Sequence, residues 1–547
     1  MERRILGVLS RAVFFWLFLV PIGLITAAEP PAAAAASADF DQLLSQGYRY
    51  EQSGDWARAV LLYENAAKNH PNSQLLRERL RHCTVRYGLA RRYHDGSFRS
   101  KMLTLPKGQA LKLYAEVTRK LEESYVEPPE PAKLFQAGIE SLIVAFEDEQ
   151  FLKTNLRIES SERMGEFRDW LRQWRPVSVR DRAEAERHLQ SISATAESLL
   201  GMRPASVILE FVYAACDSLD DYSTCLTPDR LNDLYAVIDG NFVGIGVELR
   251  SDDQGLLVVN TLAGSPAADA SIRSGDHIVA IEGVSTRGLP TDEAANRLQG
   301  AEGTQIHITV QSPDESEPRR VTLRRRSVEV QSISLAHMIS PSDAIGYVQL
   351  SGFQKTTLSE LERAVLSLER QGMRSLILDL RGNPGGLLTT AIDIGDKFLT
   401  DGTIVTTRGR AEGQSHTYRA QRPNTWMFPL VVLIDGDSAS ASEILAGAIQ
   451  DNRRGTIVGV KSFGKGSVQS IFPLETIDAG IRLTTAKFYS PRGRAYSHQG
   501  VSPDIEARRD TRYRPGTSLS QLDPAADPQL ASAINASRQL LSRRTAN

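Results

Sequence analysis

Pro429 to Ile434 is a short apolar run rich in β-branched residues, and Ile444, Leu445, Ala448 and Ile449 recur behind it at helical spacing. That pattern confines the stretch to a buried strand that enters a helix through a Gly436-Asp437-Ser438 turn. Ser440, within Asp437-Ser438-Ala439-Ser440-Ala441-Ser442-Glu443, falls at the first turn of the helix. Unpaired backbone N–H groups and the positive end of the helix dipole favour an alkoxide or oxyanion there. Serine is equally a favoured N-cap, so Ser438, Ser440 and Ser442 each have the hydroxyl to satisfy an orphan amide.

Phe463-Gly464-Lys465-Gly466-Ser467-Val468-Gln469 bears on that choice. Gly455 to Val460 reads as a strand, Lys461 to Gly466 as a turn and Val468 to Phe472 as a second strand, with glycines letting backbone approach Lys465 from both sides. An exposed lysine is a poor base at neutral pH, whereas burial disfavours the ammonium form. Gln469, four residues on, lies on the same side of an extended segment, where its amide oxygen can accept from the lysine. Together Ser440, Lys465 and Gln469 make a hydroxyl nucleophilic without a histidine; taken singly, Lys465 also reads as a solvated surface charge.

These residues resemble the carboxy-terminal processing peptidases, tail-specific proteases with a Ser-Lys-Gln centre. Ser440 matches the family's nucleophile, Lys465 its general base at the same spacing of 25, and Gln469 its orienting residue. Leu378-Asp379-Leu380-Arg381-Gly382-Asn383-Pro384-Gly385-Gly386 is similar to the family's glycine-rich turn, and Leu483 to Gly493 and Gly500 to Ile505 to its later segments. The resemblance covers about residues 206 to 506 and implies a mixed α/β, crotonase-like protease core. It also implies an oxyanion hole made by the backbone N–H of Gly385 or Gly386 together with that of Ala441. An ordinary strand-to-helix turn gives the same glycines, and no Gly-Lys-Ser/Thr follows to make a nucleotide loop.

Asn241 to Leu249 runs from a glycine-containing loop into an alternating strand, followed by Gly264-Ser265-Pro266-Ala267-Ala268 and Ile272 to Ile278. This resembles a PDZ domain of about residues 236–328, in which Val243, Gly244, Ile245, Gly246 and Val247 receive a peptide's terminal carboxylate and the next strand pairs with the peptide. Ile245 and Val247 suit an apolar last residue or the domain's own core.

The chain of 547 residues is long enough for several domains, and 41% hydrophobic with 24% charged residues is ordinary for globular protein. A formal net charge of −2 gives no general attraction to nucleic acid, although Arg319, Arg320, Arg324, Arg325 and Arg326 form a local basic run. Arg3, Arg4 and Arg11, the apolar stretch Ala12 to Ile25 and Thr26-Ala27-Ala28 resemble a secretory signal, so the expected location is the periplasm or cell envelope, with membrane contact only through this segment if it stays uncleaved. Cys83, Cys216 and Cys225 leave an odd thiol, and the spacing of the last two permits a local bridge. They form no zinc pattern with the neighbouring aspartates; no metal and no cofactor are expected.

Gly47, Ala59, Tyr63, Ala66 and Pro71, with Gly54-Asp55-Trp56 at a turn, fall at the positions of one tetratricopeptide repeat, which either packs on its neighbours or docks a protein partner. Trp170 and Trp174, four apart, read as a helix-packing pair. The expected organisation is an α+β multidomain chain: a signal or anchor (1–28), a Pro/Ala spacer (29–38), a tetratricopeptide-like region (39–105), a helical region (106–235), the PDZ domain (236–328), the protease core (329–510) and a tail with a short helix (511–547). The expected activity is that of an exported serine endopeptidase acting on proteins or peptides with free C-termini. A non-catalytic scaffold and a Ser-Lys acyl hydrolase of another kind are the competing readings.

Overall fold

The computed structural model describes residues 32–545 except 253, 263, 288, 290, 301, 422–424 and 509–522. The expected signal or anchor, and the tail as far as residue 522, therefore lie outside the described residues, apart from residues 523 onward. The chain divides into two compact units: residues up to 232 together with 469–484, and residues 233–468 together with 485–547.

The first unit is helical. Helices Ala32–Gln52, Trp56–Asn69 and Gln74–His94 open it, capped by Asp55 and Ser73. The first begins within the expected spacer, since an alanine run has the highest helix propensity. A Cβ added at Gly47 would lie 2.2 Å from the Tyr63 hydroxyl oxygen, so glycine there lets the first two helices approach closely. Ala59, Tyr63, Ala66, Leu76 and Leu80 bury between the three helices.

Helices Lys107–Ser124, Pro131–Ala145, Arg182–Leu200 and Pro204–Asp217 share a larger core containing Tyr114, Phe135 and Phe211. Trp170 and Trp174 pack edge to face at 5.7 Å against it. The three cysteines are buried free thiols, with no bridge between Cys216 and Cys225. Burial pushes Cys83 up to about 11 and Cys225 up to about 12, which leaves both inert at neutral pH.

The second unit contains two six-stranded sheets. An antiparallel sheet of residues 247–324 runs in the order Val247–Asp252, Gly255–Thr261, His277–Ile281, Gln305–Gln311, Arg319–Arg324. The other, six-stranded, runs Ile333–Ser340, Ile345–Leu350, Ser375–Asp379, Leu430–Ile434, Thr456–Gly459, Ile505–Glu506, and is parallel after its first pair. Ser375–Asp379 and Leu430–Ile434 are buried at every residue, which is why they read as unbroken apolar runs. Leu376, Leu378, Leu430, Val432 and Ile434 face helices Thr357–Arg370, Leu388–Phe398 and Ala441–Asp451. Ile377, Val431 and Leu433 face Leu530, Ala533 and Ile534 of the terminal helix Pro528–Thr545.

That helix is longer than the short one expected, and it packs across the strands Ser375–Asp379, Leu430–Ile434 and Thr456–Gly459. It is fastened by Arg381, whose fully buried guanidinium donates to Asp379 at 2.6 Å, to Asp527 at 2.7 Å and to Gln529 at 3.1 Å. Tyr347 donates to Asp379 at 2.7 Å as well. Arg381→Met leaves two buried carboxylates uncompensated and is predicted to lower unfolding stability by about 3–5 kcal/mol, measured as a shift of the chemical denaturation midpoint. An unshifted midpoint would show that the cluster does not fasten the helix.

Candidate active site

Two turns at the carboxyl ends of neighbouring parallel strands build the site, the usual position for ligands in such sheets. Asp435, just past the strand Leu430–Ile434, accepts the N–H groups of Asp437 and Ser438 and also that of Gly382 at 2.9 Å. The Ser438 hydroxyl donates to the Leu380 carbonyl at 2.8 Å, and the Asn383 carbonyl accepts Ala439 N–H at 3.0 Å and the Ser442 hydroxyl at 3.0 Å. Of the three serines that could cap, Ser438 and Ser442 thus tie the serine turn to the glycine turn.

Ser440 differs from both. It is half-buried and held at φ +57°, ψ −112°, a left-handed conformation that costs a non-glycine residue about 1–3 kcal/mol. A serine on a sharp, strained strand-to-helix turn is the geometry that projects a nucleophile.

Glu443 completes the turn. Its fully buried carboxylate accepts four hydrogen bonds: Ser440 N–H and Lys465 N–H on Oε2, each at 2.8 Å, and Gly464 N–H and the Ser462 hydroxyl on Oε1, each at 2.6 Å. Burial pushes this carboxyl above its ordinary range, while the four donors pull it back. The backbones of Ser440 and Lys465 are therefore held by a single oxygen atom.

Lys465 is buried, at 8% exposure. Gly464, at φ +88°, lies against the backbone of His498 to Gly500, and a Cβ at Gly466 would come within 2.3 Å of Ser497 N, so both glycines permit the close packing their place in the sequence implied. Phe463 N–H donates to the Ser438 carbonyl and His498 N–H to the Gly464 carbonyl. Gln469 lies in the strand Ser467–Pro473, where its amide donates to the Thr484 hydroxyl at 3.4 Å.

The two glycines of the expected oxyanion hole are not equivalent. Gly385 is buried and its N–H donates to Asn383 Oδ1 at 2.8 Å, whereas Gly386 is exposed. Among the described residues the N–H groups of Gly386 and Ala441 meet no acceptor. A Cβ at Gly385 would fall 2.6 Å from the Ala439 carbonyl oxygen, 2.8 Å from Ser440 Cβ and 2.9 Å from Ala441 N, so this glycine sets how closely the two turns meet.

The segment that leads into the antiparallel sheet of residues 247–324 holds the second set of expected residues. Val243 and Gly244 end the strand Asn241–Gly244, which pairs with Arg326–Glu329. Ile245 and Val247 are buried, Gly246 is at φ +79°, and the N–H groups of Ile245 and Gly246 meet no acceptor among the described residues. Successive free N–H groups of this kind receive an anion. Of the basic run, Arg319, Arg325 and Arg326 bond to backbone carbonyls or carboxylates of the same domain, which leaves them little to offer an acidic partner.

The profile of Peptidase family S41 matches residues 344–507 and that of the PDZ domain residues 236–311. The carboxyl-terminal-processing protease of Synechocystis sp. is 37% identical over 322 residues, covering 58% of this chain and 74% of that protein. That of Picosynechococcus sp. is 37% identical over 287 residues, covering 52% and 69%. Among solved structures, the photosystem II D1 C-terminal processing protease shares 26% identity over 77% of this chain and 99% of that one, with a TM-score of 0.40. The chain belongs to the carboxyl-terminal-processing proteases, serine-type proteases of family S41, and joins an S41 protease domain and a PDZ domain in a mixed α/β architecture.

Glu443→Gln replaces one acceptor oxygen with an NH2 group that meets N–H donors. It is predicted to reduce peptidase kcat at least about 100-fold, the scale of a misplaced nucleophile, in protein that still melts cooperatively. Gly385→Ala is predicted to reduce kcat similarly, because the atoms it meets are mostly backbone. Near-wild-type turnover by either variant would contradict the geometry described.

Proposed function

We propose that this protein is an exported endopeptidase that recognises the C-terminal tails of proteins through its PDZ domain and hydrolyses a peptide bond upstream by a Ser-Lys mechanism. The observation that carries the proposal is the Glu443 carboxylate, which holds the candidate nucleophile and the candidate base by their N–H groups at 2.8 Å each.

In the proposed reaction neutral Lys465 takes the proton of the Ser440 hydroxyl as its oxygen attacks the peptide carbonyl carbon. The N–H groups of Gly386 and Ala441 bind the oxyanion, a contribution of about 3–4 kcal/mol per donor in comparable sites. Collapse of the tetrahedral intermediate expels the amine, which takes the proton from Lys465, and leaves an acyl-enzyme on Ser440. Water, deprotonated by Lys465, then hydrolyses the ester and restores the serine. Gln469 is proposed as the orienting residue from its place four residues after the lysine.

Tail recognition is supported by two features of the antiparallel sheet of residues 247–324 and the loop that enters it. The free N–H groups of Ile245 and Gly246 suit a terminal carboxylate. Val247–Asp252 is an edge strand, paired only with Gly255–Thr261 among the described residues, and so offers its other side to an extended peptide. The crotonase-like core, the domain boundaries, the tetratricopeptide-like reading of residues 39–105 with a protein partner there, and export to the periplasm or cell envelope are parts of the same proposal that rest on the sequence.

The test compares wild type, Ser440→Ala and Lys465→Ala on one unfolded protein with a free apolar C-terminus and on its amidated twin. Either substitution is expected to lower turnover by about 1000-fold or more, the range for removing a member of a nucleophile–base unit. Amidation is expected to slow the wild type about tenfold or more, one lost charge-assisted anchor. Variants that cut like the wild type would refute the catalytic assignment, and indifference to amidation would refute the recognition of tails.

A further inference from the structure

Glu248 is the second residue of the open edge strand Val247–Asp252, which follows the proposed carboxylate-binding loop. Its neighbours Val247 and Leu249 are buried in the domain core, at 9% and 3% exposure, so the Glu248 side chain lies on the opposite face. It is half-buried, yet no hydrogen bond, ion pair or charge interaction reaches its carboxylate among the described residues. Burial alone pushes this carboxyl above its ordinary range. A partly desolvated carboxylate without a donor is unfavourable in the free protein and becomes favourable when a cation reaches it.

The strand's open edge determines where that cation would come from. A tail added antiparallel to Val247–Asp252, its carboxylate on the loop N–H groups, places its last side chain on the Val247 face and its penultimate side chain on the Glu248 face. Arg250 shares the Glu248 face two residues further along and is exposed, so the next tail side chain on this face, two positions upstream of the penultimate one, meets a positive charge instead. On the tail-recognition reading above, we infer that Glu248 selects substrates with a lysine or arginine as the penultimate residue. Asn260, directly across from Glu248 on the paired strand, is engaged with its own neighbour's N–H and does not satisfy the carboxylate.

The test uses the full chain carrying Ser440→Ala, so that bound peptide is not cut, and fluorescein-labelled peptides ending in Ala-Lys-Val, Ala-Ala-Val or Ala-Glu-Val, each free and amidated, titrated by anisotropy. The Ala-Lys-Val tail is expected to bind about five- to tenfold tighter than Ala-Glu-Val, the range of one partly buried ion pair. Adding Glu248→Gln should level the three free peptides, and Glu248→Lys should invert their order. Peptides that bind only with a free carboxylate but without regard to the penultimate residue would overturn this inference alone and leave Glu248 as a charge guarding an open strand edge. Binding that ignores amidation, or no binding by any peptide, would overturn the tail reading and this inference with it. A lysine preference that survives Glu248→Gln would overturn the assignment to Glu248.

Discussion

A single buried carboxylate organises the candidate active site of this protein. Glu443 is fully buried, and its four acceptor positions are filled by Ser440, Ser462, Gly464 and Lys465. A carboxylate in that setting is expensive to bury and is kept only where each lone pair meets a donor. The consequence is geometric. Ser440 is held in a backbone conformation it would not adopt freely, and the lysine loop cannot shift without leaving a buried charge short of a donor.

The rest of the second unit holds that arrangement still. The Asn383 carbonyl and the Asp435 carboxylate lash the glycine turn to the serine turn, accepting from Ala439 N–H and the Ser442 hydroxyl on one side and from Gly382 N–H on the other. Both turns leave strands that are buried on two faces, one against three helices and the other against the terminal helix. Arg381 connects the layers, since it begins the glycine turn and reaches Asp527 at the foot of the terminal helix. Strain at Ser440 is thus opposed by a large, closely packed sheet rather than by a local loop, and a site built on rigid elements keeps its geometry best.

Much of this local structure was legible in the sequence because the candidate site residues sit in short, contiguous segments. The apolar strand, the serine turn, the helical spacing behind it and the glycines flanking Lys465 are local patterns, and the structure has the strand, the helix and the close packing at both glycines. The role of Glu443 was only half legible. Three residues after Ser440, it reads equally as a hydrogen-bonding support of the site and as a first-turn glutamate serving its own helix; it accepts Ser440 N–H as part of that helix's cap, while its other three donors come from 19 to 22 residues later in the chain. Nor could the sequence separate Gly385 from Gly386, because the difference lies in the bond from Gly385 to Asn383 and in exposure. The terminal helix was legible as a short one, Gln529 to Leu541, but its full extent, Pro528–Thr545, and its place on the sheet were not, because its partners Ile377, Val431, Leu433 and Val458 lie far back in the chain. The presence of a helix inside the Pro/Ala stretch shows propensity outweighing a compositional cue for a spacer.

The central claim is that Ser440 is made reactive by the framework centred on Glu443. The most direct measurement is the rate and site of covalent labelling by a peptidyl phosphonate, an electrophile that resembles the tetrahedral intermediate, read by intact mass and peptide mapping in wild type, Lys465→Ala and Glu443→Gln. The account predicts one adduct, on Ser440, formed about 100-fold or more slowly in both variants, as for loss of general-base assistance. An adduct on another residue, or equal labelling rates in wild type and Glu443→Gln, would contradict it.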